Sequence, residues 1–210
     1  MREHGRFITL EGADGAGKST QAELLAQAVE RAGREVVRLR EPGGTAIGEK
    51  VRALLLDLAN AEMCPDCELL LYEASRAQLV RQVIEPALAR GAVVLCDRYY
   101  DSTTAYQAAG RSLSPERVAA ANRLGSCGCV PDRTVVLDLD PALAFGRATR
   151  DGTDRMESAG RELQERVRRG YLELAAAEPG RVRVVDASGT PQEVLARVAA
   201  QLADVVDVAL

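Results

Sequence analysis

The residues best suited to chemistry lie near the start of the chain, in the run Gly12-Ala13-Asp14-Gly15-Ala16-Gly17-Lys18-Ser19-Thr20. Residues 12–19 match G-x-x-x-x-G-K-[ST], in which glycines let the backbone turn until successive N–H groups converge on phosphate oxygens. The positive end of a following helix would add to that field. Lys18 would then set a compact ammonium on the β- and γ-phosphates, and the Ser19 hydroxyl would ligate Mg²⁺. A chance glycine-rich turn is the plainer alternative. Composition weighs against it, because of 27 Lys and Arg residues only Lys18 and Lys50 are lysines. ATP and Mg²⁺ are therefore the expected cofactors.

A second candidate is Val93-Val-Leu-Cys-Asp97-Arg98, an apolar run that ends in an acid and a base. A carboxylate just beyond a strand of a parallel sheet lies at the ligand edge. Asp97 is placed to hold Mg²⁺ or its water, and Arg98 to face the same crevice; a solvated ion pair is the bland reading. Tyr72 and Arg76 are four residues apart and share a helix face, about 6 Å apart along the axis. That separation suits a stacked base and its phosphate.

The elements that must position these groups follow from the pattern. Short β-branched runs at 7–10, 35–39, 93–96, 134–139 and 182–185 alternate with longer amphipathic stretches, which predicts βαβ units and a parallel sheet. The first helix runs from Lys18 to Ala32 and stops at Gly33; a second follows Thr45; a third spans about Cys67 to Arg90. Ser114-Pro115 and Thr190-Pro191 each read as an N-cap followed by proline at the first helical position. The polar segment 150–160 is the best candidate for a mobile loop.

The chain of 210 residues suits one domain, 1–210, with its own core. No apolar run approaches the roughly 18 residues of a membrane span, and the N-terminus lacks a secretory pattern, so a cytoplasmic location is expected. A net charge of −4 argues against coating nucleic acid. The arginines between 147 and 183 form either a solvated helix face or a phosphate-gripping lid. His4 is the single histidine, which excludes histidine-based acid–base chemistry. Cys64-Pro-Asp-Cys67 and Cys127-Gly-Cys129 are either buried or surface thiols or, together, a four-thiolate zinc site.

The strings EGADGAGKST (11–20), REPGGTAIGEKVR (40–52), LLLYEASRAQ (69–78), DRYYDSTTAYQAAGR (97–111), DRMES (154–158) and RVRRGYLELA (166–175) occur in this order. Together they resemble the thymidylate kinase family over essentially the whole chain. The resemblance implies a three-layer α/β P-loop domain with a five-stranded parallel sheet, a short lid at about 147–160, a homodimer, and dTMP as the small-molecule acceptor. It implies that Asp14 holds the acceptor's 3′-hydroxyl and that Glu41 lies near acceptor and metal. Arg52, Arg76 and Arg98 line the acceptor site, the last two gripping its phosphate. Tyr72 stacks on the base, Thr103 and Gln107 read its edge, and Tyr106 lies beneath the sugar. Gly15 stands where one subgroup carries an arginine, so the charge must come from the lid, with Arg147, Arg150 and Arg155 as candidates. In the implied fold the two cysteine pairs lie apart, which makes a zinc site awkward within one subunit and conceivable only across a dimer.

With a phosphate monoester as acceptor the nucleophile is already anionic, so positioning and charge neutralisation suffice. A deoxynucleoside kinase using Glu41 as base is the alternative enzyme, and a nucleotide-dependent switch is the alternative of another class.

Overall fold

The β-branched runs form five strands: β1 (Arg6–Glu11), β2 (Val36–Arg40), β3 (Val93–Asp97), β4 (Arg133–Asp138) and β5 (Val182–Asp186). This is a computed structural model, and it describes residues 4–140, 143–144 and 160–210. The sheet has the order β2-β3-β1-β4-β5, and every adjacent pair is parallel. Helices cover both faces, which explains why the central strands are mostly apolar, with the buried Thr9 of β1 and Thr134 of β4 hydrogen-bonded to each other at 2.8 Å. Along β3, Val93 and Leu95 join a core on one face while Val94 and Cys96 join a core on the other, the period-2 alternation of a strand.

The first core packs α1 (Lys18–Arg31) and α8 (Pro191–Ala200) on the sheet. The opposite face carries α3 (Pro65–Leu79), continued through a wide π-helical turn (Val80–Ile84) into α4 (Glu85–Ala89), and α7 (Arg161–Ala177). The predicted third helix is thus continuous but contains that wide turn, in which the Glu85 N–H donates to the Val80 carbonyl. Pro86 supplies the reason: its ring cannot be accommodated over a regular preceding turn. The other α-helices among the described residues are α2 (Ala46–Leu56), α5 (Tyr100–Thr103) and α6 (Pro115–Gly125), and α5 runs on into a second π-helical stretch, Thr104–Gly110.

The predicted boundary devices are present. Thr45 caps α2 by accepting from the Gly48 N–H, Ser114 caps α6, and Thr190 forms a reciprocal capping box with Glu193. Gly33 has φ +85° immediately beyond α1. Leu10 is in register with Asp97, and Asp97 with Arg40, so the chemistry-bearing residues emerge along one carboxyl edge of the sheet.

Candidate active site

The loop after β1 needs glycine at defined points. Gly12 has φ +136°, and a Cβ there would lie 2.5 Å from the Leu137 carbonyl oxygen. Gly17, at φ +90°, is the left-handed N-cap from which α1 starts. Lys18 is buried, and its ammonium donates to the carbonyls of Ala13 (2.9 Å) and Gly12 (3.2 Å). Burial and the neighbouring Arg98 push its pKa down. Ser19 and Thr20 are exposed at the rim, where the Ser19 hydroxyl donates to Asp97 Oδ2 at 2.7 Å. Two oxygen donors facing each other beside the phosphate loop fit Mg²⁺, a hard cation that takes its remaining ligands from water and phosphate.

Arg98 has a left-handed backbone, φ 70°, which a non-glycine residue holds only when its surroundings demand it. Its N–H donates to the Leu10 carbonyl at 3.0 Å. The guanidinium reaches the Gly12 carbonyl (3.1 Å), Ser102 (3.2 Å), Tyr171 (3.3 Å) and Tyr106 (3.2 Å), and pairs with Asp14. Asp14 also accepts from the Tyr106 hydroxyl (3.0 Å) and from Gln164 Nε2 (3.2 Å). Burial alone would raise the Asp14 carboxyl, but Arg98 and Lys18 hold it down at about 2.

Arg76 has another set of partners. Its Nε donates to Glu41 Oε2 at 2.8 Å, Nη1 to Glu73 and Nη2 to Thr103 Oγ1 at 3.0 Å, and its guanidinium lies 5.3 Å from the Tyr99 ring centroid. Glu41 Oε1 and Glu73 Oε2 are buried with no hydrogen-bond partner. Burial pushes Glu41 up to about 8 against the pull of Arg76. The two arginines have different partners: Arg76 shares Thr103, which the resemblance gives to the base, and Arg98 shares Asp14 and the phosphate loop. Glu41 is buried against Arg76, which does not suit a base for a hydroxyl acceptor.

The remaining expected residues surround this pair. Tyr106 is brought to Asp14 and Arg98, as just described. Arg52 donates to the Pro42 carbonyl at 3.1 Å. Tyr72 is half-buried on α3, one turn before Arg76. Gln107 donates through Nε2 to Glu68 Oε1 at 2.9 Å. Arg147, Arg150 and Arg155 lie outside the described residues.

Sequence reasoning missed Glu11, Ser102, Tyr171, Gln164, Glu73 and Glu68. Glu11 is the most connected: it accepts from the Tyr99 N–H (2.6 Å), the Ser102 hydroxyl (2.6 Å) and the Tyr171 hydroxyl (2.7 Å). Burial and the nearby Asp101 push it up to about 7, with Arg98 opposing. Its position at the last residue of β1, abutting the phosphate loop, was the available signal. The cysteine pairs do not meet within the chain. Arg117 pairs with Asp66 and Gly125 lies against Glu73, so α6 runs beside α3 in the same direction and carries Cys127 and Cys129 away from Cys64 and Cys67. Among the described residues no group of three or more His, Cys, Asp or Glu is arranged to hold a metal.

A strand–phosphate loop–helix unit beside a cluster of arginines, carboxylates and hydroxyls is the arrangement of a P-loop kinase that moves a phosphoryl group between small molecules. The family model for thymidylate kinase matches residues 10–198, and the chain belongs to that family. It is accordingly an ATP-dependent nucleoside monophosphate kinase. A thymidylate kinase of Deinococcus radiodurans is 50% identical over 201 residues, covering 95% of this chain and 97% of that protein. One from Bifidobacterium longum (strain DJO10A) is 49% identical over 197 residues, 92% and 95% of the two chains. Among solved structures, the thymidylate kinase of Ehrlichia chaffeensis superposes with a TM-score of 0.73 at 34% identity, covering 87% of this chain and 93% of that one.

Proposed function

We propose that this chain transfers the γ-phosphoryl group of ATP to dTMP, giving dTDP and ADP. The observation that carries the reading is Arg98, whose guanidinium bridges the phosphate loop at Gly12 and the acceptor-side cluster of Asp14 and Tyr106. A phosphate held by Arg98 lies beside the phosphate loop, as in-line transfer requires. Lys18 exchanges its two carbonyl acceptors for phosphate oxygens when ATP binds, and Asp14 accepts from the acceptor's sugar hydroxyl. Ser19 and Asp97 hold Mg²⁺, which when bound offsets the charge of the β- and γ-phosphates. Arg76, read with Thr103 and Gln107, serves the base edge instead of the phosphate, and Tyr72 stacks on the base. Arg52 lines the same acceptor pocket, beside the Glu41-Pro42 segment. Arg147, Arg150 and Arg155, which lie outside the described residues in the segment at about 147–160 expected to be the lid, are the proposed source of the charge that the loop lacks at Gly15.

The chain acts as one kinase domain over 1–210, in the cytoplasm and as a homodimer. Support for the dimer is the exposure of Leu54 (50%), Leu70 (65%) and Leu124 (79%) on α2, α3 and α6, with α3 packed between the other two. Light scattering of a Leu70→Glu/Leu124→Glu variant should give the monomer mass; an unchanged dimer places the interface elsewhere. The function itself is tested by ADP release with ATP, Mg²⁺ and dTMP, dUMP, dCMP, dGMP, AMP or thymidine. Turnover well above the rest is expected with dTMP; turnover with thymidine and not dTMP overturns the reading.

A further inference from the structure

Gln107 is expected to read the acceptor base, but an amide side chain presents either a carbonyl or an NH₂ group according to which way it is turned. What decides the orientation here is Glu68, in the first turn of α3 and 1% exposed. Its Oε1 accepts from Gln107 Nε2 at 2.9 Å and from Arg111 Nε at 3.4 Å, while Oε2 accepts from Arg111 Nη2 at 3.3 Å. A carboxylate paired with a guanidinium has only acceptors to offer. It can hold the amide by its nitrogen and not by its oxygen. Gln107 is itself 1% exposed, in the π-helical stretch 104–110.

We propose that Glu68 is a positioning residue that locks the Gln107 amide with Nε2 against the protein, leaving Oε1 as the group offered to the base. It thereby selects pyrimidines that carry a ring N–H at that edge. The inference rests on the base-binding reading of Gln107. Thymine and uracil both present N3–H, which Oε1 accepts. Cytosine presents a bare N3, so the amide oxygen meets a lone pair and neither group is satisfied. The device therefore separates dTMP and dUMP from dCMP, and it does not separate dTMP from dUMP.

The test is kcat and KM for dTMP, dUMP and dCMP in the wild type, in Glu68→Gln and in Glu68→Gln/Gln107→Glu. In Glu68→Gln the amide of Gln107 is free to turn, and the dTMP:dCMP ratio of kcat/KM should fall about tenfold or more. The loss should appear in KM for dTMP more than in kcat, and the dTMP:dUMP ratio should not move. In the double variant the two side chains are exchanged. The amide now at position 68 donates to the carboxylate now at position 107, whose second oxygen again accepts N3–H, so the ratio should recover. A folded Glu68→Gln enzyme that keeps its dTMP:dCMP ratio, or that loses all three acceptors equally, overturns the proposal. Should that single variant not fold, the double variant decides, and a lost preference there is equally fatal. A wild type that turns over none of the three sinks the base-binding reading itself, an outcome distinct from the failure of Glu68's place in it.

Discussion

Two arginines in this molecule face carboxylates a few residues from the same pocket, and they are held in opposite ways. Arg98 is 16% exposed, and its Asp14 partner 24%. Among the described residues Asp14 is the one carboxylate hydrogen-bonded to the Arg98 guanidinium, whose other hydrogen-bond partners are neutral hydroxyls and a carbonyl. Arg76 and Glu41 are 1% and 3% exposed, and Glu73 adds a second buried carboxylate. At Asp14 attraction outweighs desolvation and the carboxyl is held near 2; at Glu41 desolvation outweighs attraction and the carboxyl rises to about 8. The lesson is that an arginine–carboxylate contact does not by itself define a binding group. On this reading Arg98 can exchange its hydroxyl and carbonyl partners for phosphate oxygens, whereas Arg76 is held by two carboxylates and presents its guanidinium beside Thr103, at the proposed base edge.

On that distinction the two arginines fail differently when removed. Arg76→Met strands two buried carboxylates and should cost about 3–5 kcal/mol of stability, read as a fall in the urea midpoint. Adding Glu73→Gln should restore part of it; a midpoint within error of wild type for Arg76→Met alone means the cluster does not hold the fold in this way. Arg98→Ala should instead lower kcat/KM for dTMP by about 10²–10³ with a smaller effect on the midpoint. Equal stability losses for both variants would erase the contrast.

A steric probe sharpens the same point with a smaller effect. A Cβ on Gly125 would lie 1.9 Å from Glu73 Oε2. Gly125→Ala should therefore press on the Arg76 cluster and destabilise by about 1–3 kcal/mol, leaving KM for dTMP nearly unchanged. A raised KM without lost stability would place Glu73 in the acceptor pocket proper.

The Arg98 side of this contrast was largely legible in the sequence and the Arg76 side was not. Strand positions, the phosphate loop and the Asp97–Arg98 edge follow from local rules: β-branched runs, glycines at turns, a carboxylate where an apolar run ends. Arg76 was legible as a helix-face arginine, but its partners are set by non-local packing. Glu41 comes from beyond β2, and Thr103 from the end of α5. Glu73 was passed over because a glutamate within a helix is ordinarily solvated, and only α6, packed through Gly125, buries it. Glu11 lies just beyond the run 7–10 that the sequence marks as a strand, and its partner Tyr171 is 160 residues away. The π-helical turns that aim Tyr106 and Gln107 carry no simple periodic signal.

The finest consequence of the contrast is that the two clusters lose stability at opposite ends of the pH scale. Asp14 is depressed from 3.8 to about 2, so its contribution is present above 3.8 and lost as pH falls through 2. Glu41 is raised from 4.5 to about 8, so the folded state holds that proton more tightly than the unfolded chain does. Its contribution is present in full below 4.5 and lost as pH rises through 8. Glu11, raised to about 7, acts in the same direction over a narrower window. Unfolding midpoints measured from pH 2 to 9 should therefore decline on the alkaline side, and Glu41→Gln should flatten the part of the decline above pH 7. The expected shifts are small, about 2–4 °C in Tm for each kcal/mol in a chain of this size. Asp14→Asn should leave the alkaline limb as it is and flatten only the acid one. An alkaline limb unchanged by Glu41→Gln would mean that Arg76 compensates its carboxylates fully, and the two arginines would then differ in exposure alone.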